Sequence, residues 1–231
     1  MKERPILFSG PMVRAILKGR KTQTRRVMKP QPRGIWGSGV AMPGNLLGVR
    51  SDAFHVHCNV DGDHRFLYCP CGQPGDRLWI RETWSPDARN AYPCPEFVYR
   101  ATDPEYTEHA KDCRERYESK QTALKTQDKH APEGCLCSFR WHPSIHMPRL
   151  ASRLTLEITG VRVERLQEIS HEDAVAEGVH EHGPFPLKEK RMSLHCHAFA
   201  DLWDSLAKPG VTWADNPWVW VIEFKRMGAS C

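Results

Sequence analysis

Arg153 to Leu166 (RLTLEITGVRVERL) reads as one long strand whose hydrophobic parity changes midway. Leu154, Leu156 and Ile158 share one parity, and Val161 and Val163 share the other. Side chains alternate across a strand, so a change of parity needs an extra residue or a sharp bend. Gly160 stands at the change, where a bulge is expected. A strand that bends in its middle belongs to a curved sheet. Trp218 to Lys225 (WVWVIEFK) supplies a closing strand, with Trp218, Trp220, Ile222 and Phe224 on one face.

The rest of the chain is built around these two. Pro5 to Phe8 reads as a short strand. Ser9-Gly10-Pro11 starts a helix with Val13, Ile16 and Leu17 on its buried stripe, and Gly19 ends it. Arg77 to Trp84 reads as a strand with Leu78, Ile80, Glu82 and Trp84 on one face, and Phe97 to Arg100 as another. Ser170 caps a short helix, His171 to Ala176, with Asp173 as a weak capping-box partner and Gly178 beyond the end. Residues 180–193 form a loop. Leu194 to Ala207 is an amphipathic helix carrying Phe199, Leu202, Trp203 and Leu206, stopped by Pro209-Gly210. Residues 29–65 read as a long loop and 102–140 as a polar insertion with a helix around 105–120.

No regular alternation of strand and crossover helix is present, which excludes a doubly wound parallel sheet. The expected class is α+β: a compact, bent, mixed β-barrel with helices on its rim. One domain is expected, its core from 4–28, 73–101 and 150–226. Two loop-rich insertions, 29–72 and 102–149, interrupt it.

The 231 residues are 40% hydrophobic and 26% charged, ordinary globular values that exclude a disordered or fibrous chain. No apolar run reaches about 18 residues, so a membrane-spanning helix is excluded. The first residues, MKERPILF, turn polar at once; no secretory signal is expected, and a cytoplasmic setting with reduced thiols follows. The net charge of +5 is unevenly placed. Residues 1–33 hold ten Lys or Arg and one acid, a net of +9, while the remainder holds 23 bases and 27 acids, a net of −4. A basic end suits anionic or nucleotide-like partners, RNA among them; the plainer reading is a solvated basic face.

Nine cysteines include two Cys-x-Cys pairs, Cys69 with Cys71 and Cys135 with Cys137. Four thiolates in two close pairs can hold a tetrahedral structural zinc, although one intervening residue is tighter than the usual two to four. Free thiols are the alternative. No His-Glu-x-x-His occurs, so a zincin-type catalytic metal has no support.

The stretch from Gly19 to Arg26 (GRKTQTRR) carries the chemistry. Lys21 and Thr24 lie three apart just after a helix stop, where a local turn brings an amine near a hydroxyl. Threonine is a nucleophile only when a base takes its proton, and lysine is a base only when neutral. Arg20, Arg25 and Arg26 push the Lys21 pKa down, as does burial. A surface turn rich in bases is the bland alternative.

This stretch resembles the Gly-x-Lys-x-x-(Glu/Thr)-x-Arg signature of the ASCH superfamily, related in fold to PUA domains. Gly19, Lys21, Thr24 and Arg26 occupy its four positions. The closer resemblance is to the small ASCH amidohydrolases that deacylate N(4)-acetylcytidine, and to larger ASCH proteins of phages and bacteria. It covers roughly 4–28, 73–84 and 150–226. It implies catalysis by Lys21, Thr24 and a downstream Glu, here Glu177, with no cofactor required, on a small nucleoside or nucleobase.

In the implied reaction neutral Lys21 deprotonates Thr24 or a water, and the oxygen attacks the acyl carbonyl. Glu177 carries a proton to the leaving amine or orients Lys21. Backbone N–H groups after Gly19, or the Arg26 side chain, stabilise the oxyanion. Candidate substrate-binding residues are Arg26, Phe8, Glu82, Trp84 and His146, with Trp141 and Arg149 beside them. Glu82 is a rival carboxylate, otherwise a salt-bridged strand residue. Phe8, Trp84 and Trp141 can stack on a pyrimidine or can belong to the core. A non-catalytic RNA- or nucleotide-binding module is the alternative function.

Overall fold

The computed structural model describes residues 1–32, 34–35, 54–57, 64–86, 97–103, 108, 111, 140–179 and 193–228. In chain order the elements are β1 (Glu3–Leu7), α1 (Gly10–Leu17), β2 (Gln23–Val27), β3 (Gly34–Ile35), β4 (Phe54–His57), β5 (His64–Leu67), β6 (Arg77–Arg81), β7 (Trp84–Pro86), β8 (Phe97–Tyr99), β9 (Thr155–Arg165), α2 (His171–Ala176), α3 (Leu194–Leu206) and β10 (Trp218–Arg226).

The protein is α+β, built on a mixed five-stranded sheet ordered β1-β6-β9-β10-β2. β10 runs antiparallel to both β9 and β2. β1 and β6 run the same way: the Arg77 N–H donates to the Lys2 carbonyl at 2.8 Å and the Phe8 N–H to the Arg81 carbonyl at 3.2 Å.

The parity change of the long strand is a bulge. Glu223 pairs with Gly160 and Phe224 with Ile158, so Thr159 is the extra residue. A side chain at position 160 would start 2.7 Å from the Glu223 carboxylate, the end of a half-exposed side chain that would have to move aside. β10 is buried on both faces: Val219 and Val221 on one, Trp220, Ile222 and Phe224 on the other. A strand in the middle of a sheet covered on both sides has no solvent face to spare for polar residues. Val219 and Val221 pack with Leu166, Ile169, Ala174, Cys196 and Phe199, which fixes α2 and α3 to the sheet. Each Val, Leu, Ile or Phe side chain among them contributes about 1.5–3 kcal/mol on burial.

The chain divides into two compact units. The first comprises Met1–Arg4, Ala15–Leu78 and Leu154–Cys231, and the second Pro5–Arg14 and Trp79–Arg153. The first contains β2, β9, β10, α2 and α3. The second contains β7 and β8, which pair through Trp84 with Tyr99, Ser85 with Val98 and Pro86 with Phe97.

Several sequence expectations change in detail. The strand expected over 77–84 ends at Arg81, and Trp84 opens a separate strand. The loop expected over 29–65 contains β3 and β4, which with β5 form a separate three-stranded sheet. Strands of two to four residues are too short to show a period in sequence. On α3, Phe199 is buried but Leu202 and Leu206 are exposed, so its apolar stripe is narrower than the sequence suggests. Glu108 and Lys111 are helical; the rest of the helix expected around 105–120 lies outside the described residues, as do 180–192 of the expected loop. Ser170 does cap α2, accepting from the Asp173 N–H at 3.1 Å, but the Asp173 carboxylate goes to Arg25 and Arg162. No described helix is long and apolar enough to cross a membrane.

Candidate active site

Gly19 ends α1 at φ 71°, and the Arg20 and Lys21 N–H groups both turn back to the Ala15 carbonyl, at 2.9 and 3.2 Å. This is a helix stop in which a left-handed glycine lets the last carbonyls be satisfied. The reversed chain then meets the end of α2. Lys21 and Glu177 form an isolated antiparallel bridge, and the Thr22 N–H donates to the Ala176 carbonyl at 2.8 Å.

Gly178 makes that approach feasible. Its φ is +78°, and a side chain there would start 2.9 Å from the Lys21 Cβ and 3.0 Å from the Ala15 Cβ. Any other residue would carry both backbone strain and a clash.

The Lys21 amine donates to the Glu177 carboxylate at 2.6 Å and to the Glu177 carbonyl at 2.9 Å. The side chains of Lys21 and Glu177 are 1% and 5% exposed. Burial lowers the Lys21 pKa below its ordinary 10.5; Glu177 opposes this through charge and hydrogen bonding, and Arg26 and Arg25 reinforce it. Desolvation thus prevails over a contact that by itself favours the ammonium form.

Arg25 sits beside this pair with a fully buried side chain. It reaches Glu177 Oε1 at 3.3 Å, Asp173 at 2.8 Å and Glu164 at 3.1 Å, and its guanidinium lies 5.8 Å from the Phe199 ring centroid. Arg162 closes the network, pairing with Asp173 at 2.9 Å and with Glu164 and Glu223. Burial pushes the Asp173 carboxyl up, but Arg25 and Arg162 outweigh it and hold it below its ordinary value.

Gln23 bonds the Asp173 carbonyl at 2.9 Å, on the same face of β2 as Arg25. By alternation Thr24 and Arg26 share the other face. Thr24 is buried and pairs with Ile222 of β10. The described hydrogen bonds of the Lys21 amine go to Glu177, and none goes to the Thr24 hydroxyl. The Arg26 charge is felt by Lys21, and burial lowers the Arg26 pKa while Cys71 and Glu177 raise it.

No family model, curated protein or solved structure matches the chain.

The other expected site residues belong to the second unit. Phe8 is buried. Glu82 is 1% exposed and takes Arg153 in a two-pronged pair, both contacts at 3.0 Å. Burial raises the Glu82 pKa; Arg153 opposes the shift and Asp103 adds to it. Arg153 also stacks 3.9 Å from the Tyr99 ring centroid. Trp84 packs edge-on against Phe97 at 5.5 Å and tilted against His142 at 5.2 Å. His146 is exposed at the end of a short 3-10 turn, Ser144–His146.

Of the four thiols considered for zinc, Cys135 and Cys137 lie outside the described residues. Cys69 is buried and Cys71 half-buried, both as free thiols. The Cys69 hydrogen bond, with help from Arg26 and Arg4 and against burial, brings Cys71 down to about 7. Among the described residues no group of three or more His, Cys, Asp and Glu side chains is placed to hold a metal.

Sequence reasoning treated Arg25 only as a like charge near Lys21 and missed Glu164, Arg162 and Glu223. One signal was available: Arg162 and Glu164 place opposite charges on a single parity of the strand just after its break at Gly160.

Proposed function

We propose that this chain is an amidohydrolase of the ASCH superfamily, with the PUA-like bent barrel of that fold, acting on N(4)-acylated cytidine or cytosine. The observation that carries the reading is the contact of Lys21 with Glu177 at 2.6 Å. Nothing in the local spacing of Gly19 to Arg26 requires a glutamate so distant in sequence to close on Lys21. The resemblance does require it.

The geometry fits an amide hydrolysis. Burial favours a neutral Lys21, the form that can accept a proton. Lys21 takes the proton of Thr24 or of a water, and that oxygen bonds to the acyl carbon. Glu177 lies within reach to pass the proton on to the departing cytosine nitrogen, which would otherwise leave as a poor amine anion. The C–N bond breaks; water completes the hydrolysis where Thr24 holds the acyl group, and the carboxylic acid and the free cytosine amine leave. The N–H groups of Arg20, Lys21 and Thr22 are spent on Ala15 and Ala176 carbonyls. Arg26 is then the oxyanion donor of choice.

Three of the ten bases in residues 1–33 are spent on carboxylates of the fold and are not left for a phosphate backbone. Arg4 pairs with Asp76, Lys21 with Glu177, and Arg25 with three carboxylates. Charges neutralised inside the fold release no counterions from a phosphate backbone.

The test is incubation with N(4)-acetylcytidine while the ultraviolet shift to cytidine is followed. Conversion by the wild type is expected. A wild-type rate no higher than that of Thr24→Ala would overturn the reading.

A further inference from the structure

We propose that Arg25 is a positioning residue of this site, holding Glu177 Oε1 so that Oε2 faces the Lys21 amine. The inference rests on the amidohydrolase reading and adds a residue outside its four-position signature.

The Glu177 carboxylate is divided between two basic side chains. Oε2 takes Lys21 at 2.6 Å and Oε1 takes Arg25 at 3.3 Å. A carboxylate anchored through one oxygen has its other oxygen fixed in direction, and arginine suits this because its donors are splayed in a rigid plane. The guanidinium is itself over-determined. Asp173 from α2 and Glu164 from β9 take its Nη2, and the Phe199 ring from α3 lies against it. Arg162 in turn holds Asp173, Glu164 and Glu223. Arg25 therefore cannot swing away from Glu177 without breaking contacts to three elements.

The same placement has an electrostatic consequence. The charged groups felt by Lys21 are Glu177 at the end of α2 and Arg25 and Arg26 on β2. Glu177 alone would keep the proton on Lys21. Arg25 offsets part of that charge and leaves the amine easier to deprotonate. With Arg25 neutralised, Lys21 holds its proton to higher pH, so a rate that needs neutral Lys21 reaches its plateau at higher pH.

The experiment follows the Lys21 side chain by NMR in protein carrying 13C-labelled lysine, with Lys21→Met to assign the signal. A pH–rate profile on N(4)-acetylcytidine runs beside it. In Arg25→Gln the Lys21 titration and the acid limb of the profile should both rise by about one pH unit, a roughly tenfold loss of neutral lysine at fixed pH. Arg25→Lys, which keeps the charge but not the splayed donors, should restore the pH dependence and leave the plateau rate low. If Arg25→Gln does not fold, Arg25→Gln/Asp173→Asn removes charge and countercharge together, and the same rise is expected there. An unmoved Lys21 titration in a folded charge-removal variant, or a rate loss there equal at every pH, overturns the proposal. Absent turnover by the wild type would instead sink the amidohydrolase reading, while the NMR titration still decides the role of Arg25.

Discussion

Lys21 donates to the Glu177 carboxylate at 2.6 Å and to the Glu177 carbonyl at 2.9 Å, across 156 residues of sequence. Two features bring them together: a glycine stop that reverses the chain after α1, and a second glycine that lets the end of α2 lie against it. The resulting pair is nearly dry, so each partner depends on the other and on Arg25.

On the proposed mechanism, removing Lys21 should cut turnover deeply while sparing the fold. Lys21→Ala is expected to lower kcat by about 10²–10⁴-fold, the usual share of general base catalysis. Glu177 keeps Arg25 as a partner, so the variant avoids the full penalty of an unpaired buried charge. Steady-state kinetics with a thermal melt checks both halves; an unfolded variant would contradict the second.

Gly178→Ala should destabilise the protein by about 1–3 kcal/mol, the cost of a non-glycine residue in left-handed backbone. The new methyl also meets the Lys21 and Ala15 side chains, so turnover should fall as well. Urea unfolding gives the first number, and a loss within experimental error of zero would be inconsistent with the close approach.

Glu82 and Arg153 behave as a structural ion pair of the second unit. Arg153→Met should cost about 3–5 kcal/mol, because it leaves a buried carboxylate without its partner. The double variant Glu82→Gln/Arg153→Met should recover most of that loss, which a double-mutant cycle measures. A purely additive cycle would show that the pair is not coupled.

Among the described cysteines, Cys71 should be the fast thiol at neutral pH. Its pKa of about 7, set first by the Cys69 hydrogen bond, means that alkylation by iodoacetamide rises with pH and is half-maximal near pH 7. Cys69→Ala removes the largest contribution and should move the midpoint upward. Mass spectrometry of the modified peptide reads the rate, and a midpoint near the ordinary thiol value in the wild type would refute the assignment.

Much of the frame was legible because it rests on period and punctuation. The bent strand with its break at Gly160, the cap at Ser170, the stop at Gly19 and the closing strand all follow from local rules that the tertiary structure leaves in force. The short strands β3, β4 and β5 escaped because so few residues carry no period. Glu177 was placed only through resemblance, since no local pattern ties it to Lys21. Arg25 escaped for a different reason: its three acidic partners come from β9, from α2 and from the residue after α2, and charge complementarity between distant segments leaves no trace in spacing. The capping role of Asp173 was overridden by the same network, because two arginines compete for its carboxylate.

The most direct measurement follows N(4)-acetylcytidine to cytidine in parallel with wild type, Lys21→Ala, Thr24→Ala and Glu177→Gln, each verified as folded. Conversion by the wild type with deep loss in all three variants is the expected result. Conversion that survives in folded Lys21→Ala, or none in the wild type, would contradict the assignment of this site as an amidohydrolase centre.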